Sequence, residues 1–446
     1  MFWKRQKQQR PHNGLRPYVT TWERGLWQTL SRKEITYQTA DKVRGPQVFT
    51  FRLRLADPGH LSKALALGEQ LALTLGVPSV RVVRHLGLVD VEIALPRSFH
   101  RALSVRALQR KGGAWVTLGQ TATGTPVHVN LAGNLSCHAL ISGITGSGKT
   151  ITEQLIAWEL AEANDPGNVN LLLIDGKGGA AWWGFDRIPH LPHPVIGDPN
   201  EAVAALTWCV AELGRRKTNG QRQPALFVVI DEVRELLDVA GEPVAEAVRR
   251  IAALGRELGV HVIVATQHAL VDALGGSIAK ANLPLRLTGR VADANAAYLA
   301  TGVKGTGAES LQGNGDFLVT VAGQSHRVQI AMLRGRDIGR LPRVEETPRL
   351  DFGDYDPVRV LDVVEKPKAK PVDDDPEAVA YALATGCGIP TLRERYGPMG
   401  TKRATRIRDF ARSLRSALAD LGFTYLLPLT LLSRETAQNA EIDPQG

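Results

Sequence analysis

The stretch GITGSGKT, residues 143 to 150, lies between the apolar run HALIS and the helical pattern ITEQLIAWELAEAN. A glycine-rich turn joining a buried-looking strand to a helix fits the GxxxxGK[ST] phosphate loop, and both flanks that the motif needs are in place. Its glycines let backbone N–H groups turn inward around a β-phosphate, and the helix that follows adds the positive end of its dipole. Gly143, Thr145, Gly146, Ser147, Gly148, Lys149 and Thr150 are therefore the candidate nucleotide-binding residues. Lys149 would reach the β/γ oxygens, and the Thr150 hydroxyl would ligate Mg²⁺.

A hydrolase needs a second element, and ALFVVIDEV supplies it. An apolar strand ending in Asp231 and Glu232 brings two carboxylates to the C-terminal edge of a sheet, beside the phosphate loop. Asp231 would hold Mg²⁺ and Glu232 would polarise the attacking water. A third strand, GVHVIVATQ, ends in polar residues, and Gln267 there is placed to sense a γ-phosphate or orient water. The runs HALIS, VNLLLID, ALFVVID, GVHVIVAT and LPLRLTGRV are short and continuously apolar. That pattern predicts parallel strands buried on both faces of a helix-flanked α/β sheet.

Around this core the chain divides into a basic, aromatic segment (1–44), an α+β accessory domain (45–132), the ATPase-like domain (133–345), a linker (346–376) and a helical tail (377–446). In the accessory domain QVFTFRLRLA predicts a half-buried strand. HLSKALALGEQLALTLGV predicts a helix with a glycine stop, and SVRVVRHLGLVDVEIALP two strands around a glycine turn. The tail crowds Lys402, Arg403, Arg406, Arg408 and Arg412 onto one predicted helix, as in a helix-turn-helix unit. The alternative is a solvated basic helix that packs on the motor. A formal charge of +9 suits an acidic polymer or surface as partner. Cys137, Cys209 and Cys387 have no metal-ligand spacing and read as buried thiols in a reducing compartment. No apolar run approaches the roughly twenty residues that span a bilayer. The expectation is a cytoplasmic protein whose N-terminal segment, with Phe2, Trp3 and TWERGLWQTL, is a frayed, solvated tail; peripheral membrane or partner contact is the alternative.

Residues 46 to about 335 resemble the motor of the FtsK/SpoIIIE DNA translocases, in the FtsK–HerA group of RecA-like ATPases. The resemblance rests on HALISGITGSGKT, LLLIDGKGG, IPHLPHPVIGD, FVVIDEV, LGRELGVHVIVATQ, IAKANLPLRL and GAESLQGNGDFL, in that order. It implies a RecA-like core, a small α domain before it and a winged-helix-like domain after it. It also implies ATP with Mg²⁺ at the interfaces of a homohexameric ring and double-stranded DNA through the centre. Arg256, in LGRELGV, matches the arginine that reaches a neighbour's site. Arg215 and Arg216 lie in a second arginine segment. Lys280, Thr266 and His268 match DNA-facing positions, and Lys402, Arg403 and Arg406 are the tail's candidates. Three departures bear on DNA grip: His268-Ala269 stands where Arg-Pro is usual, VADANAAY lacks the usual basic residues, and IDPK becomes Ile174-Asp175-Gly176-Lys177. Arg290 is the candidate to compensate. The reading is an ATP-driven DNA translocase without the family's membrane anchor, such as a transfer or maintenance motor of a plasmid, phage or integrated element. A DNA-binding regulator or adaptor whose ATP site controls assembly, and a secretion-type motor of the same group, are the alternatives.

Overall fold

The structure is a computed structural model that describes residues 14–85, 87–267 and 282–353. All of them lie in the first of the two units into which the chain divides, Met1–Val363. The expected tail, most of the linker, His268, Lys280 and Cys387 lie outside the described residues.

The N-terminal part is a four-stranded antiparallel sheet of order β1-β2-β4-β3, with β1 Tyr37–Arg44, β2 Val48–Leu55, β3 Val80–His85 and β4 Leu88–Ala94. Helix α1 (Arg16–Arg32) buries Trp22, Leu26 and Leu30 in the same core as Phe51, Leu53, Val91 and Ile93. Residues 15–44 are thus no separate segment: Leu15, Trp22, Leu26, Leu30 and Ile35 supply this core, while Trp27 of α1 stays exposed. The expected single helix over HLSKALALGEQLALTLGV forms as two, α2 (Leu61–Leu65) and α3 (Gly68–Leu75). The second begins at Gly68, where a Cβ would come within 2.8 Å of the Val80 carbonyl, and it stops at left-handed Gly76.

The larger sheet has nine strands in the order β6-β5-β13-β12-β11-β7-β10-β9-β8. Its strands are β5 Trp115–Gln120, β6 Pro126–Asn130, β7 Ala139–Ser142, β8 Val169–Asp175, β9 Ala225–Asp231, β10 Val260–Thr266, β11 Leu285–Thr288, β12 Asp316–Val321 and β13 Gln324–Ile330. The five strands from β11 to β8 in that order run parallel, as the apolar runs predict. Side chains alternate between two cores. Leu171 and Leu173 face α4 (Lys149–Ala163), whereas Leu172 and Ile174 face α5 (Pro199–Asn219) and α7 (Glu242–Leu258). Both faces being covered, no strand position can be polar without a partner. β5 and β6 precede the expected boundary at 132 yet extend this sheet through β13, so the change from the smaller sheet to the larger falls before Trp115.

The parallel strands end level with one another. Asp175 pairs across from Asp231, and Ser142 from Thr266. One edge of the sheet therefore collects the phosphate loop, Asp175 and Asp231 at the ends of β8 and β9, and Glu232 just beyond.

Candidate nucleotide site

The loop from Gly143 to Gly148 leaves β7 and enters α4 at Lys149. Gly143 and Gly148 cannot be replaced without strain, having φ of 150° and 108°. A Cβ on Gly143 would stand 2.7 Å from Ser147 Oγ, and one on Gly148 would stand 3.0 Å from the Gly315 nitrogen. Lys149 is buried and its Nζ donates to the Gly143 carbonyl at 3.0 Å, across the loop. Burial lowers its pKa, against the pull of Glu232, Glu153 and Asp231.

Opposite the loop, Asp231 closes β9 and Glu232 turns the chain into α6 (Val233–Ala240). Burial, then the nearby charges of Asp175 and Glu232, push the Asp231 carboxyl up to about 6, while Lys149 and Lys177 oppose the shift. Such crowding of acidic groups is relieved by a cation. Thr150 and Asp231, which line one cavity, are hard oxygen donors of the kind that hold Mg²⁺ together with substrate phosphates. Glu232 has φ of 51°, a left-handed conformation that costs a non-glycine residue on the order of 1–3 kcal/mol. Its Oε2 lies 3.4 Å from Lys177 Nζ, and its buried Oε1 has no hydrogen-bond partner among the described residues. Thr145 Oγ1 donates to Gln267 Oε1 at 2.9 Å, tying the third strand's end to the loop.

These groups surround one cavity of about 730 Å³. Its walls include Thr145, Gly146, Gly148, Lys149 and Thr150 from the loop, then Asp231, Glu232 and Gln267. Sequence reasoning missed the far wall, which comes from Gln47, His100 to Leu103, Asn314 and Gln329 to Met332. Asn314 lies in the marked stretch GAESLQGNGDFL, but nothing local places it or the others at the cavity; the pairing of β5 with β13 and the hydrogen bonds Gln47 Nε2 to the Asn314 carbonyl and Met332 nitrogen to the Leu103 carbonyl bring them in. Lys177 and Asp175 had a signal, the end of LLLIDGKGG. Asp175 organises the turn by accepting from the nitrogens of Lys177 (2.8 Å) and Ala181 (2.9 Å).

Other candidates fall elsewhere. Arg256 is in the last turn of α7, half exposed, 3.2 Å from Glu257. It acts electrostatically on Cys137 and His138, which precede β7. That is the opposite end of the sheet from the phosphate loop, and the seven-residue strand β10 between the two edges is on the order of 20 Å long. Arg216 is a packing residue. Buried, it donates to the carbonyls of Leu258 (2.9 Å), Gly259 (3.0 Å) and Pro224 (2.8 Å) and to Glu212 (2.8 Å). Arg215 is pinned to both oxygens of Glu212 at 2.6 Å. Thr266 is not on a DNA-facing loop: it ends β10 and is wholly buried beside Ser142. Arg290 is exposed at the mouth of the loop, its carbonyl accepting from the Ile144 nitrogen at 2.8 Å. Cys137 and Cys209 are buried free thiols. Among the described residues no helix is long and apolar enough to cross a membrane.

A doubly covered parallel sheet, a glycine loop running from strand to helix and a carboxylate pair ending the next strand but one define a P-loop nucleotide-binding protein. Residues 101–221 and 217–271 match the FtsK/SpoIIIE family, and residues 4–96 match the FtsK alpha domain. The chain belongs to the FtsK/SpoIIIE family. It is 32% identical to the DNA translocase SftA of Bacillus subtilis over 70% of its own length and 36% of that protein's. It is 30% identical to the DNA translocase FtsK of Caldanaerobacter subterraneus over 86% of its own length and 57% of that protein's. The chain thus spans only about a third to just over half of these relatives' lengths. Among solved structures, the pCW3 conjugation coupling protein TcpA, in its monomer form with ATPgS, is similar at 17% identity and a TM-score of 0.48, over 78% of this chain and 100% of that one.

Proposed function

We propose that this chain hydrolyses ATP and uses it to move double-stranded DNA, working as a ring of identical copies. The observation that carries the reading is the single cavity where Lys149, Thr150, Asp231, Glu232 and Gln267 meet, with Arg256 stranded on the opposite edge of the sheet. In this reading the loop amides and Lys149 hold the β- and γ-phosphates. Mg²⁺, held by Thr150 and Asp231, would neutralise charge on the transferring phosphoryl group. Glu232, with an uncommitted buried oxygen, orients the attacking water and accepts its proton. Gln267 couples the γ-phosphate to the end of β10 through Thr145.

Arg256 cannot serve its own site from that edge, so its use in catalysis requires a second copy, packed head to tail. Repeated with a rotation that closes, such a heterologous contact makes the proposed ring. An arginine supplied this way is worth on the order of 10³–10⁵ in rate in other NTPases. DNA as substrate is supported by the names of the relatives, by the +9 formal charge and by the basic run from Lys402 to Arg412.

ATP turnover is measured with and without linear duplex, alongside displacement of a third strand from that duplex. The expected result is duplex-stimulated turnover and ATP-dependent displacement, both absent in Lys149→Ala. Turnover indifferent to DNA, with no displacement, overturns the motor and favours a regulator whose nucleotide controls assembly.

A further inference from the structure

The segment between the helix Ala294–Thr301 and β12 is not used by the chemistry above, yet it touches both the phosphate loop and the N-terminal domain. Asn314 faces both ways. Its nitrogen donates to the Gly146 carbonyl at 3.0 Å, and the next nitrogen, of Gly315, donates to the Ser147 carbonyl at 2.8 Å. The Asn314 carbonyl in turn accepts from Gln47 Nε2 at 2.9 Å and from Gln329 Nε2 at 3.1 Å. Gln47 immediately precedes β2 of the small sheet. A few residues back, Ser79 Oγ donates to the Ser310 carbonyl at 3.0 Å and accepts from Gln312 Nε2 at 2.6 Å.

Beneath this segment lies a buried ionic cluster. Arg327 on β13 holds both oxygens of Asp316 on β12, at 2.9 and 2.6 Å, and reaches Glu92 on β4 at 2.5 Å. Glu92 also accepts from Arg81 Nη1 at 2.8 Å, and Arg81 Nε donates to the Thr306 carbonyl at 2.5 Å. Asp316 Oδ2 accepts from the Gln312 nitrogen at 2.8 Å, which returns the cluster to the loop. Two guanidiniums face two carboxylates, so the buried charge balances. Removing one member of such a cluster costs far more than the pairing is worth, because its partner is left charged and dry.

We infer that the loop from Gly307 to Asp316 couples nucleotide binding to the seating of the N-terminal domain, with Glu92 and Arg327 as positioning residues for the phosphate loop. The N-terminal domain cannot shift against the large sheet without breaking the ionic cluster or carrying the loop with it. The loop cannot move without releasing the Gly146 and Ser147 carbonyls. Phosphate-loop geometry and domain seating are then one equilibrium, and linkage makes the effect reciprocal. Nucleotide tightens the domain, and a loosened domain weakens nucleotide binding.

This inference rests on the nucleotide-site reading, and two measurements on the full chain separate them. Calorimetry gives the ATPγS dissociation constant, and amide hydrogen exchange follows β3 and β4 with and without ATPγS. In the unmodified protein ATPγS is expected to slow exchange in both strands. Glu92→Gln, which is not at the cavity, is expected to bind ATPγS on the order of tenfold more weakly, within the usual range of coupling between sites, and to lose the protection. Ser79→Ala, a milder change that keeps the ionic cluster, should move both readouts the same way by less, and it carries the test if Glu92→Gln does not fold. Failure of the unmodified protein to bind ATPγS overturns both readings. Tight binding that leaves exchange in β3 and β4 unchanged, or a folded Glu92→Gln with unaltered affinity and protection, overturns the coupling alone.

Discussion

Glu92, Glu153 and Glu159 are all buried, yet the fold treats them in opposite ways because of what faces them. Burial alone would raise the Glu92 carboxyl, but Arg81 and Arg327 hold it down at about 2. Glu153, one turn beyond Lys149 on α4, has no hydrogen-bond partner among the described residues for either oxygen. Burial, and then the negative charge of Asp231, raise it well above the ordinary carboxylate range. Glu159 lies on α4 against β5, where Thr117 donates its nitrogen at 3.4 Å. Burial pushes it up to about 7, and that hydrogen bond and Arg110 only partly oppose the shift. A carboxyl raised in the folded state makes the fold bind protons that the unfolded chain has released, so stability falls as pH rises from about 4 through 7 and is level above. Glu159→Gln removes that dependence while keeping an acceptor for the Thr117 nitrogen. It is expected to be more stable than the unmodified protein at pH 8, by up to about 3 kcal/mol, with the gain shrinking toward pH 5. Thermal melts across that range check it, and an equal gain at both pH values would mean that packing, not charge, sets the difference.

At the scale of elements, the join between β5 and β13 is the most exacting contact in the large sheet. Gly119 sits at an irregularity in β5, opposite Ile330. A Cβ there would lie 1.9 Å from the Gln329 carbonyl oxygen, so the strands must separate to admit one. Gly119→Ala is therefore expected to cost at least about 2 kcal/mol, in the range of overpacked cores. Gly214→Ala, inside α5 where a Cβ would meet nothing, should gain about 0.5–1 kcal/mol from helix propensity. Chemical denaturation of the two variants checks the contrast, and similar midpoints would contradict it. The same join explains what could be read from the sequence. β7 to β10, the phosphate loop and Asp231-Glu232 were legible because each is written in a few consecutive residues whose period or motif is local. The nucleotide cavity's far wall was not, since Gln47, Leu103, Asn314 and Gln329 come from four separate stretches. The family pattern favoured Arg256 over Arg216 without giving a physical reason; the fold turns Arg216 onto buried carbonyls and leaves Arg256 half exposed. Thr266 was misplaced by one residue: the strand runs through it, so Gln267 is the first to leave the sheet.

At the scale of the whole molecule, the two ends of the parallel sheet have different duties in the proposed ring. One edge carries the phosphate loop and Glu232, and the other offers Arg256 to the next copy. Arg256→Ala should fold and assemble as the unmodified chain does, since among the described residues its side chain meets only the adjacent Glu257, and both are exposed. Its turnover should nonetheless fall by on the order of 10³ or more, the usual worth of a trans arginine. Glu232→Gln should be equally inactive for the opposite reason, having a complete arginine and a defective site. Mixing the two inactive proteins then tests the geometry directly. In a ring built from head-to-tail contacts, an interface is competent when the site comes from an Arg256→Ala copy and the arginine from a Glu232→Gln copy. Random mixing of equal amounts makes about a quarter of the interfaces competent. Activity should therefore return on mixing, be greatest near equal proportions and vanish at either extreme. If Arg256 served its own subunit, or had no part in turnover, no such recovery could arise. An Arg256→Ala protein with full activity, or a mixture as inactive as its parts, would remove Arg256 as the group supplied by the next copy.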